Sequence, residues 1–463
     1  MKLDPRTWFK NSSSENQATN KFYEQFYKML GGTYTSYDPN RVTYIDKGYN
    51  INPTVYSVVS QKSRKSSSVP YCVRKIEDKA EHSKLKMFQR ATGNDLTIQQ
   101  KVKKLLLESK AYEDKGDIPF PMDKPNPNQT WVEVIELYNT FMDTTGNFYL
   151  YMFAPTEGMN AGQPIEVYVL PSQYTEIVLK NNSVDVKSME NPIDHYLVIV
   201  GGSYVEFEQE NVIHVKLPNP NFSSNGEHLY GQAPLSAALR NIQSSNTAID
   251  LNNKTLKSGG AYGLIHGKQT PLAPKQAKQV KDRLVEMSVD ESNLAKITAV
   301  THEMGFTRLS LTTAEMQPFE YLNYDQKQIC NVLGWDDKLL NNDGGSNYGA
   351  YLETVRKRII TDTIMPSLKL LASALNDEFL PRFKGYENTE LIFDASELPE
   401  MQTDMKELVS WLNDLLDRGV INRAEYRMAI NYTGTELPIM QEYTVSQNTI
   451  KLEDALNDDF NIE

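Results

Sequence analysis

Cysteine is scarce: Cys72 and Cys330 are the two in 463 residues. They supply neither a disulfide framework nor a Cys-x-x-Cys metal site, and so few thiols fit a reducing compartment. Long apolar runs are missing too. No stretch approaches the ~18 apolar residues of a membrane span. The opening MKLDPRTWFK lacks the apolar segment that a secretory signal carries. Positive charge is in deficit, with 48 Lys and Arg against 60 Asp and Glu and a formal net charge of −12. Sequence-independent DNA binding needs clustered cations, so this chain is not built to coat itself with nucleic acid. It can still handle DNA without gripping it, because negative walls repel phosphates and keep contact brief. The deficit concentrates late in the chain, where residues 400–463 hold 13 acids and 5 bases.

Catalytic patterns are equally sparse. The 6 histidines are scattered. His302-Glu303 opens like a zinc-protease motif, but the run HEMGF has no second histidine. GLIHGKQ resembles a phosphate-binding loop, yet Gly263 and Gly267 stand one residue too close, and Gln269 replaces the hydroxyl that would hold Mg²⁺. There is no Gly-x-Ser-x-Gly elbow and no calcium-loop spacing around NNDGGSN. Catalytic residues, cofactors and metals are therefore expected to be none.

What remains is a large, aromatic-rich chain with 26 tyrosines and 40% apolar residues. That composition builds cores, and single cores rarely grow past ~250–300 residues, so more than one part is expected. A polar stretch ending in NSSSENQATN precedes a short amphipathic helix at 21–30. Helices are predicted at 51–68, with Val55, Val58, Val59 and Lys62 on one face, and at 96–112. Thr130 and Glu133 form a capping-box pattern for a helix to about Phe141, ended by Thr145-Gly146-Asn147. Strand signals follow at FYLYMF and at five segments within 165–216, with a Gly201-Gly202 hairpin. Pro234 opens a helix that Gly259-Gly260 closes. AYGLIHG reads as a strand, 274–288 as a helix, 294–311 as a hairpin turning near Gly305, and 313–333 as a helix. The stretch 348–379 is helical with a kink or break at Pro366. ELIFDAS is strand-like, 401–431 is helical, and the last ~20 residues are polar and loose. The fold class is α+β with a largely antiparallel sheet.

Between two helical stretches lies NNDGGSNYG. Gly344 and Gly345 tolerate backbone conformations closed to other residues. Asn341, Asn342, Ser346 and Asn347 can hydrogen-bond phosphate without carrying charge. Trp335, Asp336 and Asp337 lead into this loop, and Asp343 lies within it. Adjacent carboxylates such as Asp336 and Asp337 are most often solvated surface. Lys275, Lys278, Lys281 and Arg283 form a basic cluster on a helix with a narrow apolar stripe, and ETVRKR (353–358) forms another. Such clusters are most often solvated faces.

Six stretches in series carry a resemblance. They are NPTVYSVVSQKSRKSSSVPYCV (52–73), PNPNQTWVEVIELYNTFMDTTGNFYLY (125–151), LYGQAPLSAALRNIQ (229–243), GFTRLSLTTAEMQPFEYLNYDQKQICNVLGWDDKLL (305–340), SNYGAYLETVRKRIITDTIMPSLKLLASALNDEFL (346–380) and DRGVINRAEYRMAINY (417–432). In this order the chain resembles the tailed-bacteriophage portal proteins of the compact siphovirus type. The resemblance implies a structural, non-enzymatic protein forming a ring, typically of about twelve subunits, at one capsid vertex. Double-stranded DNA would pass through its channel in packaging and ejection. Its partners would be the terminase large subunit, head–tail connector or adaptor proteins, and the major capsid protein or scaffold, with no membrane. It would reside in the virion after assembly in the host cytoplasm.

The implied portal fold has an α/β wing, two stem helices, a small β clip and a helical C-terminal crown. Its parts map as an N-terminal arm and helix at 1–39, wing at 40–268, stem helix at 271–290, clip at 291–311 and second stem helix at 312–333. A tunnel loop at 334–349 follows, then the tunnel helix with the rest of the wing at 350–398, the crown at 400–440 and a flexible tail at 441–463. NNDGGSNYG falls in the tunnel loop, and the basic cluster falls in the first stem. Family members often carry a more hydrophobic or Pro-containing turn where this chain has GWDDKLL. A head–tail adaptor shares the polar, acidic composition but is shorter. A nucleic-acid-processing enzyme needs metal-ligand spacing that the chain lacks.

Overall fold

A computed structural model describes residues 40–92, 97–114, 118–158, 161–180, 191–200, 202–221, 226–257, 263–267, 275, 278, 282, 304–308, 318–340, 348–386, 388–396, 398–430, 440–445 and 450–451. The helix expected at 21–30 lies outside them. Helix α1 (Pro53–Ser67) begins where Asn52 accepts hydrogen bonds from the Thr54 and Val55 amides, each at 3.1 Å, with Pro53 in the first turn. Both devices satisfy or remove the orphan donors of a helix start. Its buried face includes Val55, Val58, Val59 and Lys62, as the sequence spacing predicts. Strand β1 (Tyr71–Ile76), helices α2 (Lys79–Thr92) and α3 (Ile98–Ala111) and strand β2 (Tyr112–Asp114) follow.

Helix α4 (Trp131–Thr145) packs on α1. The predicted capping box forms: Thr130 N–H donates to Glu133 at 2.9 Å and Thr130 Oγ1 accepts from the Glu133 amide at 3.3 Å. Gly146 ends α4 with φ 72°, and a Cβ there would stand 2.3 Å from the Gln232 carbonyl oxygen. Only glycine permits both the conformation and the approach.

Two three-stranded antiparallel sheets come next. Strand β3 (Asn147–Phe153) lies between β4 (Glu166–Leu170) and β8 (Val212–Lys216), while β6 (Ile193–Val200) lies between β5 (Thr175–Leu179) and β7 (Ser203–Glu208). The β6–β7 hairpin closes with Val200 opposite Ser203 and Gly202 at φ 82°, at the predicted Gly-Gly turn. Asn147 ties the first sheet to the segment before the next helix. Its Nδ2 donates to the Thr145 carbonyl at 2.8 Å, and its Oδ1 accepts the Gly231 N–H at 2.6 Å.

Helix α5 (Pro234–Lys257) packs against α6 (Pro318–Val332), where Pro318 sits in the first turn that tolerates it. Asn241 donates to the buried Asp325 at 2.8 Å across this pair. Strand β9 (Gly263–Gly267) pairs antiparallel with β10 (Met304–Arg308), placing Gly305 opposite His266. This corrects the expected turn at Gly305. The local pattern specifies extended backbone but not its partner, and here the partner is 37 or more residues upstream in β9.

The stretch 348–379 stays helical through Pro366. Helix α7 (Tyr348–Ile359) passes into a π turn (Ile360–Ile364), helix α8 (Met365–Ala374) and a second π turn (Leu375–Phe379). Pro366 cannot donate to the carbonyl four residues back. The wider π turn accommodates that loss, so of the kink or break expected there no break occurs. Strand β11 (Thr389–Phe393) then pairs with β1, which also pairs with β2. The chain thus closes a sheet between residues 71–75 and 389–393.

The main core runs from Val55 and Tyr138 through Phe148, Leu235 and Ile329 to Leu371 and Phe379. Helices α9 (Gln402–Asp417) and α10 (Arg423–Ala429) form a separate small core with α3, built on Val102, Leu408, Leu412, Ile421 and Ala429. Within the stretch expected to be loose, β12 (Thr444–Val445) pairs with β13 (Ile450–Lys451), and β12 packs on α9. One short ladder of backbone bonds supplies order that side-chain composition does not announce.

Candidate functional site at the end of helix α6

Helix α6 stops in a Schellman motif. The Gly334 amide donates to the Asn331 carbonyl at 3.2 Å and the Trp335 amide to Cys330 at 2.9 Å. Gly334 has φ 66°, and a Cβ there would lie 3.0 Å from Thr363 Oγ1. Thr363 donates in turn to the Gly334 carbonyl at 2.9 Å. The motif is completed by an apolar contact one residue past the glycine: Trp335 is 8% exposed and belongs to the main core. Its indole is therefore a floor residue, not part of an open loop.

The preceding carbonyl, that of Leu333, is held as well. Lys62 Nζ donates to Leu333 O at 3.3 Å and to Asp143 Oδ1 at 2.6 Å. Both members of this ion pair are buried. Asp143 feels burial most, which raises its pKa, while Lys62 opposes that rise. The pair links α1, α4 and α6 at a single point.

Beyond Trp335, Asp336 accepts from the Lys338 amide at 2.9 Å and from the Tyr351 hydroxyl at 3.2 Å. The Lys338 ammonium stands 4.4 Å from the centre of the Tyr351 ring. Asp337 begins a 3₁₀ turn, Asp337–Leu339. The two flanks of 341–347 are thereby joined through Asp336, Lys338 and Tyr351. Burial, with Asp337 and Asp336 nearby, pushes the Cys330 thiol up to about 12. Cys330 therefore remains protonated and is no nucleophile.

Of the residues singled out in the sequence, Trp335 is buried and Asp336 and Asp337 are half-buried at this base. Asn341, Asn342, Asp343, Gly344, Gly345, Ser346 and Asn347 lie outside the described residues. Lys275 and Lys278 are helical and exposed, whereas Lys281 and Arg283 lie outside the described residues. Sequence reasoning missed Lys338, Tyr351 and Thr363. Tyr351 meets Asp336 from the start of the next helix, and no short-range motif encodes that contact.

A cleft of about 370 Å³ opens beside Trp335, lined by Arg64 and Lys65 of α1, Arg356 and Ile359 of α7, and Glu400. Lys65 and Glu400 pair at 2.6 Å. Burial works against the Glu400 charge, but the Lys65 hydrogen bond and neighbouring cations outweigh it and hold the carboxyl below its usual range. A second cleft holds Tyr196, His214, Lys216, Glu378 and Arg382. His214 stacks on Tyr149 with centroids 4.3 Å apart, and its Nε2 donates to Asn147 Oδ1 at 3.1 Å. Burial first, then Lys216 and Arg41, keep this imidazole neutral. Among the described residues no group of three or more His, Cys, Asp or Glu could hold a metal ion. Among them, too, no helix is long and apolar enough to cross a membrane.

The sequence model described as phage portal protein matches residues 67–431, most of the chain. The chain belongs to the phage portal protein family. No curated protein matches the sequence. Among solved structures, the fold is similar to a chain in the virion of a native gene transfer agent particle, with TM-score 0.55 and 18% identity, over 90% of this chain and 99% of that one. A chain in the neck of the native particle, computed with C12 symmetry, gives TM-score 0.56 at 18% identity over 88% and 98%. The neck of the empty particle, computed with C6 symmetry, gives the same values. At this identity these likenesses speak for the fold, and they agree with the α+β class.

Proposed function

We propose that this chain is the subunit of a ring-shaped channel at one vertex of a phage capsid, through which double-stranded DNA passes in packaging and ejection. The family match over residues 67–431 carries the reading. The symmetric necks of the similar structures favour a ring, and a ring of about twelve fits the C12 neck. In this reading the subunit resides in the virion after assembly in the host cytoplasm. It docks the terminase large subunit and later the head–tail connector, and it meets the major capsid protein or scaffold.

The parts follow the family order: wing 40–268, stem helices 271–290 and 312–333 around a clip at 291–311, tunnel loop 334–349, tunnel helix and rest of the wing 350–398, and crown 400–440. The loop 341–347 would line the narrowest part of the channel. Its base is firmly tied through Thr363, Trp335 and Tyr351, as a loop meeting moving DNA requires. Asp336 is engaged by Lys338 and Tyr351, so Asp337 and Asp343 are the better candidates for a repulsive ring. Repeated weak contacts centre a duplex while letting it slide. Lys275, Lys278, Lys281 and Arg283 would face DNA or an acidic neighbour along the stem.

Electron microscopy of the purified protein in negative stain tests the assembly. Rings with a central hole are expected, and a protein that stays monomeric even with its scaffold present would refute the reading. Replacing Gly344 and Gly345 by Val should leave rings intact but impair packaging. Normal packaging by that variant would remove the loop from the mechanism. Metal-dependent DNA cleavage abolished by Asp336→Ala would turn the assignment to an enzyme.

A further inference from the structure

The cleft beside Trp335 is the feature that the channel reading leaves unused. Its floor is apolar, made by Trp335, Leu339, Ile359 and Ile360. Its rim is cationic. Arg64 and Arg356 are exposed, and among the described residues neither lies within ion-pair distance of a carboxylate, although Arg356 is near enough to Glu400 to help hold its charge. One carboxylate already seats there, since Glu400 lies 2.6 Å from Lys65. An apolar floor under spare guanidinium groups suits an aromatic side chain flanked by carboxylates.

The chain itself contains such a segment. Residues 452–463, LEDALNDDFNIE, hold five acids and no base, and within them Asp458 and Asp459 directly precede Phe460. These residues lie outside the described ones. Strand β12 packs on α9, and Asn422, just past the end of α9, donates to the Gln441 carbonyl at 3.4 Å. Helix α9 begins two residues after Glu400, at the cleft. Its 16 residues span about 24 Å at 1.5 Å per residue. The nine residues from Lys451 to Phe460 reach at most ~30 Å when extended. The segment can therefore run back along α9 to the cleft of its own subunit.

We infer that Asp458-Asp459-Phe460 docks in this cleft in cis, with Phe460 on Trp335 and Leu339 and the two carboxylates on Arg64 and Arg356. The acidic end of the chain then acts as a strap that ties α7 to α1 beside the turn holding the 341–347 loop. This inference does not depend on ring formation.

The test is a cross-link in the full chain with Gln61→Cys and Asn461→Cys on a Cys72→Ser background. Cys330 is buried and protonated and does not compete. Mild oxidation should join 61 to 461 within one chain, seen as a linked peptide by mass spectrometry and a monomer on a non-reducing gel. The yield should fall several-fold when Arg64 and Arg356 are both changed to Glu. It should recover when Asp458 and Asp459 are then changed to Arg, a rescue that a folding defect would not give. No link, or a link equal to that from a Val420→Cys control on another surface, would overturn the inference. A link only between chains would also overturn it, by assigning the segment to a neighbouring copy.

Discussion

The end of α6 and the small unit that α3 forms with the C-terminal helices α9 and α10 solve the same problem, anchoring a helix terminus, by different means. At the end of α6 the anchors are directional: the Lys62–Asp143 pair, the Thr363 hydroxyl and the amides of Gly334 and Trp335. Each has one geometry, and at the Lys62–Asp143 pair removing a partner leaves a buried polar group exposed to no water. Around α9 the anchors are an apolar stripe, with Leu408 and Leu412 against Val102, and a capping box at Asn422. Apolar contacts tolerate small shifts, so this unit can adjust as a body.

The largest break in this contrast is expected from Asp143→Ala. It strands a buried ammonium, so the loss should be about 3–5 kcal/mol. A urea unfolding curve would read it, and an unchanged midpoint would show that Lys62 finds another partner. Leu412→Ala, at a fully buried position, should cost about 2 kcal/mol, the low end for such changes because a small core can collapse. Hydrogen exchange should then rise in 98–111 and 402–429 while α4 keeps its protection. A uniform rise across the chain would show that the two units unfold together. Asn422→Ala removes the cap whose side chain accepts from Glu425 N–H at 2.7 Å, at a cost of about 1 kcal/mol. Helicity confined to 423–429 should drop, with Asn422→Ser restoring it. The smallest effect belongs to Tyr351→Phe, which loses one exposed hydrogen bond to Asp336, about 0.5 kcal/mol. Its signature is faster proteolysis within 341–347 at nearly constant global stability, and equal cleavage rates would discount Tyr351 as a clasp.

By itself the sequence determined the elements whose signals are local. The Thr130–Glu133 box and Gly146 bound α4, the alternating runs mark β3 to β8, and Pro234 starts α5, because caps, turn residues and side-chain period act within a few residues. The order of six motifs also pointed to the family that the sequence model later matched. Tertiary structure alone decided where strands pair and which polar groups are buried. Gly305 looks like a turn until β9 becomes its partner, and Trp335 reads as loop until the Schellman turn rotates it into the core. Lys62 lies on the apolar face of α1 by period, yet Asp143 of α4 and the Leu333 carbonyl give it a place inside. Such choices depend on residues distant in sequence meeting in space, and local pattern carries no record of the partner.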